Sequence, residues 1–184
     1  MKLNPLLTLA AGVLALAGCT STPTKVDSGK IHASTFSFVN RGARPDPGYT
    51  DNRQPVHTMI QDSITKNLAA RGVTKAPAGG DLTVGYLVII GNNVSTESVR
   101  DYFGYSEGAA ALHDKAHHAY TSSKNPNYFE AGTLVIDLID SRSYKLLKRG
   151  HATRPTLKNL PDDAKAARIQ EVVDEILRDV RITN

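Results

Sequence analysis

The spacing of apolar residues is the feature that most constrains the fold of this chain. Four segments show the runs or the alternation of Val, Ile, Leu, Phe and Tyr that are typical of β-strands, and they cover residues 31–40, 82–90, 132–140 and 143–152. Two other segments repeat apolar residues every three or four positions, which is the period of an amphipathic helix. The chain therefore predicts the order β-α-β-β-β-α and a single α+β domain.

Both helical segments also carry signals at their ends. Over residues 55–71, Pro55 suits the first turn of a helix and Gly72 supplies a C-terminal stop. The second helix opens at Pro161 and continues with an apolar stripe made of Ile169, Val172, Val173, Ile176, Leu177 and Val180. We expect both helices to pack on one face of a mixed sheet of about four strands, with the first two strands parallel.

A long insertion, at about residues 92–129, separates the second predicted strand from the third. Ordinary connections are much shorter, and long ones are usually functional or disordered. Six of the chain's 7 Tyr and 4 Phe lie here, namely Tyr102, Phe103, Tyr105, Tyr120, Tyr128 and Phe129. Two interpretations stay open: these aromatic residues form a recognition surface, or they cover the open face of the sheet.

Three histidines in the insertion are the candidate metal ligands. His113 and His117 are four residues apart, so on a helix they would share one face at a spacing able to bind Zn²⁺ or Cu²⁺, and His118 and Asp114 lie beside them. However, the segment lacks the His-Glu-x-x-His pattern, and no cysteine is available as a ligand. We therefore predict no metal or other cofactor and keep the three histidines as candidates only.

The N-terminal residues are typical of an export signal. After Lys2, the run from Pro5 to Ala17 carries no charge and consists largely of Leu and Ala. It is shorter than the ~20 apolar residues that a membrane-spanning helix needs. The run ends in Leu16-Ala17-Gly18-Cys19, which resembles the lipobox of bacterial lipoproteins, and Cys19 is the only cysteine in the chain.

The resemblance to a lipobox implies cleavage before Cys19 and attachment of a lipid to its thiol. We predict a lipoprotein signal peptide at residues 1–18, a flexible tether at residues 19–30 and a globular domain at residues 31–184. In Gram-negative lipoproteins an Asp after the modified cysteine commonly signals retention in the inner membrane, and this chain has Thr20 there. The predicted location is the outer membrane, lipid-anchored and extracytoplasmic.

Charge does not indicate a nucleic-acid partner. The formal net charge is +4, and the densest basic stretch, Lys145 to His151, is interpreted as a solvated strand face. Two acidic residues, Asp137 and Asp140, invite comparison with a catalytic carboxylate pair. We interpret Asp137 as a structural residue at a strand edge and Asp140 as a turn former.

Several segments resemble a family of bacterial lipoproteins known mainly as a domain of unknown function. The similar segments are Phe36-Ser37-Phe38, Leu68-Ala69-Ala70-Arg71-Gly72, Asp81-Leu82-Thr83-Val84-Gly85-Tyr86, Gly132 to Asp140, Arg149-Gly150 and the helix after Pro161. Members of that family often carry Trp before the Arg-Gly pair, where this chain has Lys148. The resemblance implies a fold and no activity.

The sequence carries no catalytic signature. It contains no phosphate-binding loop and no dinucleotide-binding fingerprint, and its Gly-x-Ser-x-Gly string, Gly104 to Gly108, does not directly follow an apolar strand as a nucleophile elbow does. We predict a membrane-anchored envelope protein that is a non-catalytic binding or structural module, with an envelope protein or a cell-wall polymer as its partner. The alternative is a periplasmic hydrolase or metal-binding protein that uses His113, His117, His118 and nearby acids.

Overall fold

The computed structural model describes residues 25–39, 54–77, 79–90, 128–157 and 160–183. Within these ranges the elements are, in chain order, β1 (Val26–Asp27), β2 (Lys30–His32), β3 (Thr35–Phe38), α1 (Gln54–Ala69), β4 (Thr74–Lys75), β5 (Leu82–Ile90), β6 (Tyr128–Asp140), β7 (Leu146–Leu157), α2 (Asp162–Ile176) and β8 (Arg181–Thr183). The predicted α+β class with two helices and a mixed sheet is confirmed.

The main sheet has six strands in the order β1-β7-β6-β5-β3-β4, and β2 pairs with β8 in a separate two-stranded sheet. Strands β3 and β5 are parallel, as predicted, whereas β5, β6 and β7 are antiparallel neighbours. The sheet is therefore larger than the four strands expected. The additional strands are two or three residues long, too short for an alternation of apolar and polar residues to reveal them.

The β6–β7 hairpin differs from its prediction in length and in its turn. Strand β6 starts at Tyr128 instead of residue 132, and β7 covers Leu146–Leu157 instead of 143–152. Asp140 accounts for the later start of β7, because its Oδ1 accepts hydrogen bonds from the backbone N–H of Arg142 and Ser143 and from Ser143 Oγ. The prediction that Asp140 forms a turn is confirmed.

Both helices pack on the same face of the sheet. Alternate residues of β5, Leu82, Val84 and Tyr86, and of β6, Ile136 and Leu138, are buried there. The helices add Ile60, Ile64 and Leu68 from α1 and Val173, Ile176 and Leu177 from α2 to the same apolar cluster. Burial of each such side chain stabilises the fold by about 1.5–3 kcal/mol relative to its exposure, so this cluster is the main core.

Arg71 joins the C-terminal ends of the two helices. Its guanidinium donates to the carbonyl oxygens of Leu177 at 2.9 Å and Val180 at 2.7 Å, and its Nε donates to Asn67 Oδ1 at 3.0 Å. The carbonyls at the end of a helix have no partner within the helix, so this arginine satisfies groups that would otherwise need water. Gly72 follows with φ 81°, and α1 ends at Ala69, two residues before the predicted end at residue 71.

The predicted tether, residues 19–30, overlaps the two sheets. Asp27 and Val26 pair with Lys148 and Arg149 of β7, and Lys30 pairs with Arg181 of β8. The described part of this segment is thus held by strand pairing. Its Lys, Asp, Ser and Gly content predicts flexibility, but the partners that order it lie more than a hundred residues further along the chain, where local composition carries no information about them.

Candidate functional site

A buried ion pair lies on the face of the sheet opposite the helices. Asp137 of β6 and Arg149 of β7 are direct partners across the two strands. Arg149 Nε donates to Asp137 Oδ1 at 2.8 Å and its Nη2 donates to Oδ2 at 2.6 Å. The two side chains are only 4% and 6% exposed, so water does not screen the attraction as it does on a surface.

Strand alternation puts both charges on this face. Ile136 and Leu138 face the helices, so Asp137 between them faces the other way. Gly85 of β5 is the partner of Asp137 on its other side and contributes no side chain of its own there. Asp137 is therefore placed in the interior of the sheet, and its carboxylate is satisfied by Arg149.

Two predictions about these charges are corrected by the structure. Asp137 does not lie at a strand edge, because β6 has β5 and β7 on its two sides. The basic stretch at Lys145 to His151 is not a solvated strand face, since Lys148 is 7% and Arg149 5% exposed. Each cation is compensated by a carboxylate that is distant in sequence or lies across the hairpin, Asp27 for Lys148 and Asp137 for Arg149.

Other residues on the same sheet face are also buried. Ile89, Thr133 and Val135 have 0% exposure, although none belongs to the apolar cluster under the helices. The hydroxyl groups of Thr133 and Thr153 form a hydrogen bond, with an Oγ1–Oγ1 distance of 2.7 Å. This second face is therefore a mixed polar and apolar surface, with its charged pair at the centre and its apolar residues towards the Ile90 end of β5.

The chemistry open to the ion pair is limited by its own hydrogen bonds. Both carboxylate oxygens of Asp137 accept from one guanidinium in a bidentate arrangement, the geometry in which arginine binds carboxylates most strongly. Both oxygens are therefore engaged in hydrogen bonds within the sheet. The pair serves to join β6 to β7 and to hold a fixed charge distribution on the sheet face.

A second candidate is a surface groove of about 490 Å³ between β7 and α2. Its lining carries three arginines, three acids and one apolar residue, namely Arg154, Arg168, Arg178, Glu171, Asp174, Glu175 and Val172. Arg154 forms a salt bridge with Glu175, and Arg168 donates to the carbonyl oxygen of Pro155 at 2.9 Å. Because cations and anions are equally represented, the groove does not select a ligand of either charge.

The buried face and the helices lie within a stretch of the chain that matches a known family. The family described as a domain of unknown function, DUF4136, matches residues 24–179. The chain belongs to this family. The expected family of unknown function is thereby confirmed, and the DUF4136 match contains Arg71, Asp137 and Arg149, whose contacts are given above.

The Arg149-Gly150 pair illustrates what a DUF4136 segment does in this chain. Arg149 faces Asp137 on one side of β7, whereas Gly150 faces α2 on the other. A Cβ at Gly150 would lie 2.8 Å from Ile176 Cγ2 and 3.0 Å from the Ile176 carbonyl oxygen. The arginine therefore supplies the ion pair, and the glycine permits the close approach of α2 to the sheet. Lys148, directly before this pair, donates to Asp27 Oδ2 at 2.7 Å.

Solved structures with a similar chain course come from different bacteria. A PelC dodecamer from Paraburkholderia phytofirmans is similar over 87% of this chain and 96% of its own, with 11% identity and a TM-score of 0.45. A PDZ domain protein from Parabacteroides distasonis matches over 78% of this chain and 32% of its own, with 15% identity and a TM-score of 0.43. A Xanthomonas campestris protein of the DUF330 family matches over 82% and 85%, with 14% identity and a TM-score of 0.38. No curated protein matches the chain.

The site residues predicted from sequence lie outside the described residues. This holds for Cys19 and for His113, His117 and His118. Within the ranges that the structure describes, no group of three or more His, Cys, Asp or Glu side chains could hold a metal ion. None of the helices in those ranges has the length and apolar character needed to cross a membrane.

The sequence contained one signal for the ion pair that composition alone does not bring out. Asp137 and Arg149 are equally far along the chain from Ser143, which comes directly after the turn predicted at Ser141 and Arg142 and which the structure places in the turn itself. In a hairpin, residues equidistant from the turn stand opposite each other, so an acid and a base at these positions become cross-strand partners. Only the register of the structure shows that both also face the same buried side.

Proposed function

We propose that this DUF4136 protein is a lipid-anchored protein of the bacterial envelope, and that its domain is a binding or structural module with no catalytic role. The observation that carries the proposal is the position of Cys19. It is the only cysteine, it closes the Leu16-Ala17-Gly18-Cys19 string, and only residues 20–24 separate it from Lys25, where the described domain begins. A lipid on this thiol would anchor the domain without entering its fold.

The roles of the acidic side chains support a binding or structural module over a hydrolase. Asp137 is engaged by Arg149, Asp140 holds the β6–β7 turn, and Asp81 accepts from the backbone N–H of Ser34 and Thr35. Each of these carboxylates is committed to structural hydrogen bonds. The proposed partner is an envelope protein or a cell-wall polymer, and the proposed contact region is the aromatic-rich sequence at residues 92–129.

Replacement of Cys19 tests the anchor. The wild-type chain should sediment with membranes and partition into detergent, and Cys19→Ala should leave the domain in the aqueous phase, with Ser21→Ala as the matched control. Thr20→Asp should move the protein to the inner membrane of a Gram-negative host, whereas Thr22→Asp, which adds the same charge two residues later, should not. A Cys19→Ala protein that still partitions with detergent would contradict the anchor.

The partner is tested by crosslinking in cells. A photo-crosslinking residue at Tyr105 or Tyr120 should yield a reproducible partner by mass spectrometry. The same residue at Tyr144, which is 83% exposed in the β6–β7 turn, is the control for random encounters. Equal yields from Tyr105, Tyr120 and Tyr144, or none at all, would count against binding through the 92–129 region.

A zinc titration separates the proposal from the metal-dependent alternative. We expect no micromolar binding of Zn²⁺ by the wild-type protein and no difference in the His113→Ala/His117→Ala variant. Micromolar binding by the wild type that the double substitution removes would favour the metal-binding function instead.

A further inference from the structure

The point at which the chain joins the sheet limits how far the domain can move from its anchor. Strand β1 starts at Val26, and the backbone N–H of Ser28 donates to the Leu147 carbonyl at 2.9 Å. From Cys19 to Lys25 the chain can span at most ~20 Å when fully extended, and about 14 Å on average for a flexible chain of this length. The surface around Lys25 therefore stays close to any lipid carried by Cys19.

This surface is basic. Lys25, Lys30 and Arg181 are exposed, Lys30 and Arg181 are partners in the β2–β8 sheet, and Lys148 bonds to Asp27 at 2.7 Å. We call this group, made of Lys25, Lys30, Lys148 and Arg181 around Asp27, the basic edge. It holds four cations against one carboxylate, and the exposed neighbours Arg178 and Asp179 balance each other.

Asp27 lies close to two members of the basic edge, Lys148, whose Nζ donates to Asp27 Oδ2 at 2.7 Å, and Arg181, whose charge acts on the same carboxylate. Its pKa is lowered first by the hydrogen bond from Lys148, then by the backbone N–H of Gly29, and further by the charges of Lys148 and Arg181. The positive charge of Arg181 acts on the carboxylate of Asp27, although the two residues lie near opposite ends of the described chain. Lys148 of β7 and Arg181 of β8 thus lie around Asp27 of β1, and Lys25 and Lys30 flank the same strand along the chain, beside the point where the chain enters the domain.

We infer that the basic edge is the membrane-facing surface of the domain and binds an anionic lipid surface, an inference that rests on the proposed lipid anchor at Cys19. Each Lys or Arg close to an anionic bilayer raises the occupancy of the surface-bound state by roughly fivefold. Such attraction acts within a Debye length, about 8 Å at physiological ionic strength. The connection to Cys19, about 14 Å long on average, allows the basic edge to come within that distance of the headgroups.

The opposite edge of the sheet is directed away from the bilayer in this arrangement. Strand β4 is the far edge of the six-stranded sheet. Strands lie about 4.8 Å apart, which places β4 roughly 24 Å from β1. The fold therefore offers one position near the lipid headgroups and one far from them on the same rigid sheet.

Single spin labels on the full, lipidated chain test this orientation. Ser28→Cys places a label at the basic edge and Thr74→Cys places one on β4, and both positions are exposed. The protein is reconstituted into vesicles of phosphatidylethanolamine with 0 or about 30% phosphatidylglycerol, an anionic fraction chosen to resemble a charged bacterial leaflet. Nickel chelated to lipid headgroups then shortens the relaxation time of nearby labels.

With anionic vesicles we expect relaxation enhancement at Ser28→Cys to exceed that at Thr74→Cys at least threefold. Adding Lys30→Gln/Arg181→Gln should lower the surface-bound population by roughly 25-fold and reduce the Ser28→Cys signal to the level of the β4 label. Lys66→Gln/Lys165→Gln, which removes two cations from the helices, should leave it unchanged. Equal enhancement at the two labels, or no response to Lys30→Gln/Arg181→Gln, would overturn the inference.

The wild-type chain distinguishes failure of this inference from failure of the anchor. A spin label reacts with a free thiol, and the sulfur of a thioether is not a free thiol. A wild-type protein that takes no label therefore shows that Cys19 is modified. If wild-type Cys19 labels readily, the lipid anchor is wrong and the orientation falls with it. If it does not label and the Ser28→Cys and Thr74→Cys signals are equal, the anchor stands and the orientation is wrong.

Discussion

Arg149 donates two hydrogen bonds to Asp137 across the β6–β7 hairpin, at 2.8 and 2.6 Å, and both side chains are almost fully buried. A buried pair of this kind costs desolvation when it forms, so its removal is most harmful when one charge is left behind. Asp137→Leu should lower the free energy of unfolding by about 3–5 kcal/mol. Urea denaturation measures this change.

The double variant Asp137→Leu/Arg149→Met is the critical comparison for the ion pair. It removes both charges, so it should regain most of the stability lost by Asp137→Leu. Lys165→Ala, which breaks the exposed pair with Asp162, should change the free energy of unfolding by less than ~1 kcal/mol. A double variant no more stable than Asp137→Leu would mean that the damage comes from packing and not from an unpaired charge.

Two adjacent glycines should respond differently to alanine. A Cβ at Gly80 would lie 2.5 Å from backbone atoms of Phe36, which is buried in β3, whereas a Cβ at Gly79 meets nothing within 4 Å. Gly80→Ala should destabilise the fold by about 3 kcal/mol or more, because a strand backbone cannot move aside as a side chain can. Gly79→Ala carries only the strain of its φ of 69°, about 1–2 kcal/mol.

Thermal and urea unfolding of the two glycine variants provide the measurement. The order of their stabilities is the test, since both substitutions add the same methyl group. If Gly79→Ala proved the more damaging of the two, the close approach of residue 80 to β3 would be excluded as the reason for a glycine there.

Arg71 should not be replaceable by lysine. Its planar guanidinium contacts Asn67 and the carbonyls of Leu177 and Val180 at the same time, and a lysine ammonium cannot match that arrangement. Arg71→Lys should cost about 1.5–3 kcal/mol in the free energy of unfolding. Arg142→Lys, on the exposed β6–β7 turn, should stay within ~0.5 kcal/mol of wild type. Equal effects of the two substitutions would argue against Arg71 as the link between the helix ends.

Asp81 should make stability depend on pH in the acid range. The backbone N–H of Ser34, the hydroxyl of Thr35 and the backbone N–H of Thr35 all hold the pKa of this carboxyl below its ordinary value. Folding therefore favours the ionised form, and its contribution is present above about pH 4. It is lost as pH falls through the lowered pKa of the folded state.

The pH dependence is measured by urea midpoints at several values between pH 2.5 and 6. Asp81→Asn should flatten the acid limb of that curve, because the substituted side chain has no proton to gain. Asp62→Asn on α1, which likewise replaces an exposed carboxylate with an amide, is the matched control for the change in charge. An Asp81→Asn curve parallel to wild type throughout would show that the hydrogen bonds from Ser34 and Thr35 do not favour the ionised carboxylate.

Local periodicity was sufficient to locate both helices and β5, whereas the ends of β6 and β7 differed from their predictions. Leu82–Ile90 has the bounds that the sequence predicted, and α1 and α2 lie where the repeats of Ile60, Ile64, Val173 and Ile176 place them. These residues can be recognised in the sequence because the side of an element that faces the core is apolar. In a helix the apolar residues recur at every turn, and in a strand at every second residue. The same signal predicted the α+β class and the packing of both helices on one sheet face.

By itself the sequence determined the class of the fold, its long helices and strands, the family resemblance and the string around Cys19, since each of these is written in neighbouring residues. The tertiary structure alone decided that Val26–Asp27 belongs to the sheet, that Lys148 and Arg149 are buried, and that Asp137 is an interior residue with both oxygens satisfied. These facts depend on strand register and on partners far along the chain, and the energy of a buried charge is set by what stands opposite it. No window of adjacent residues contains that information.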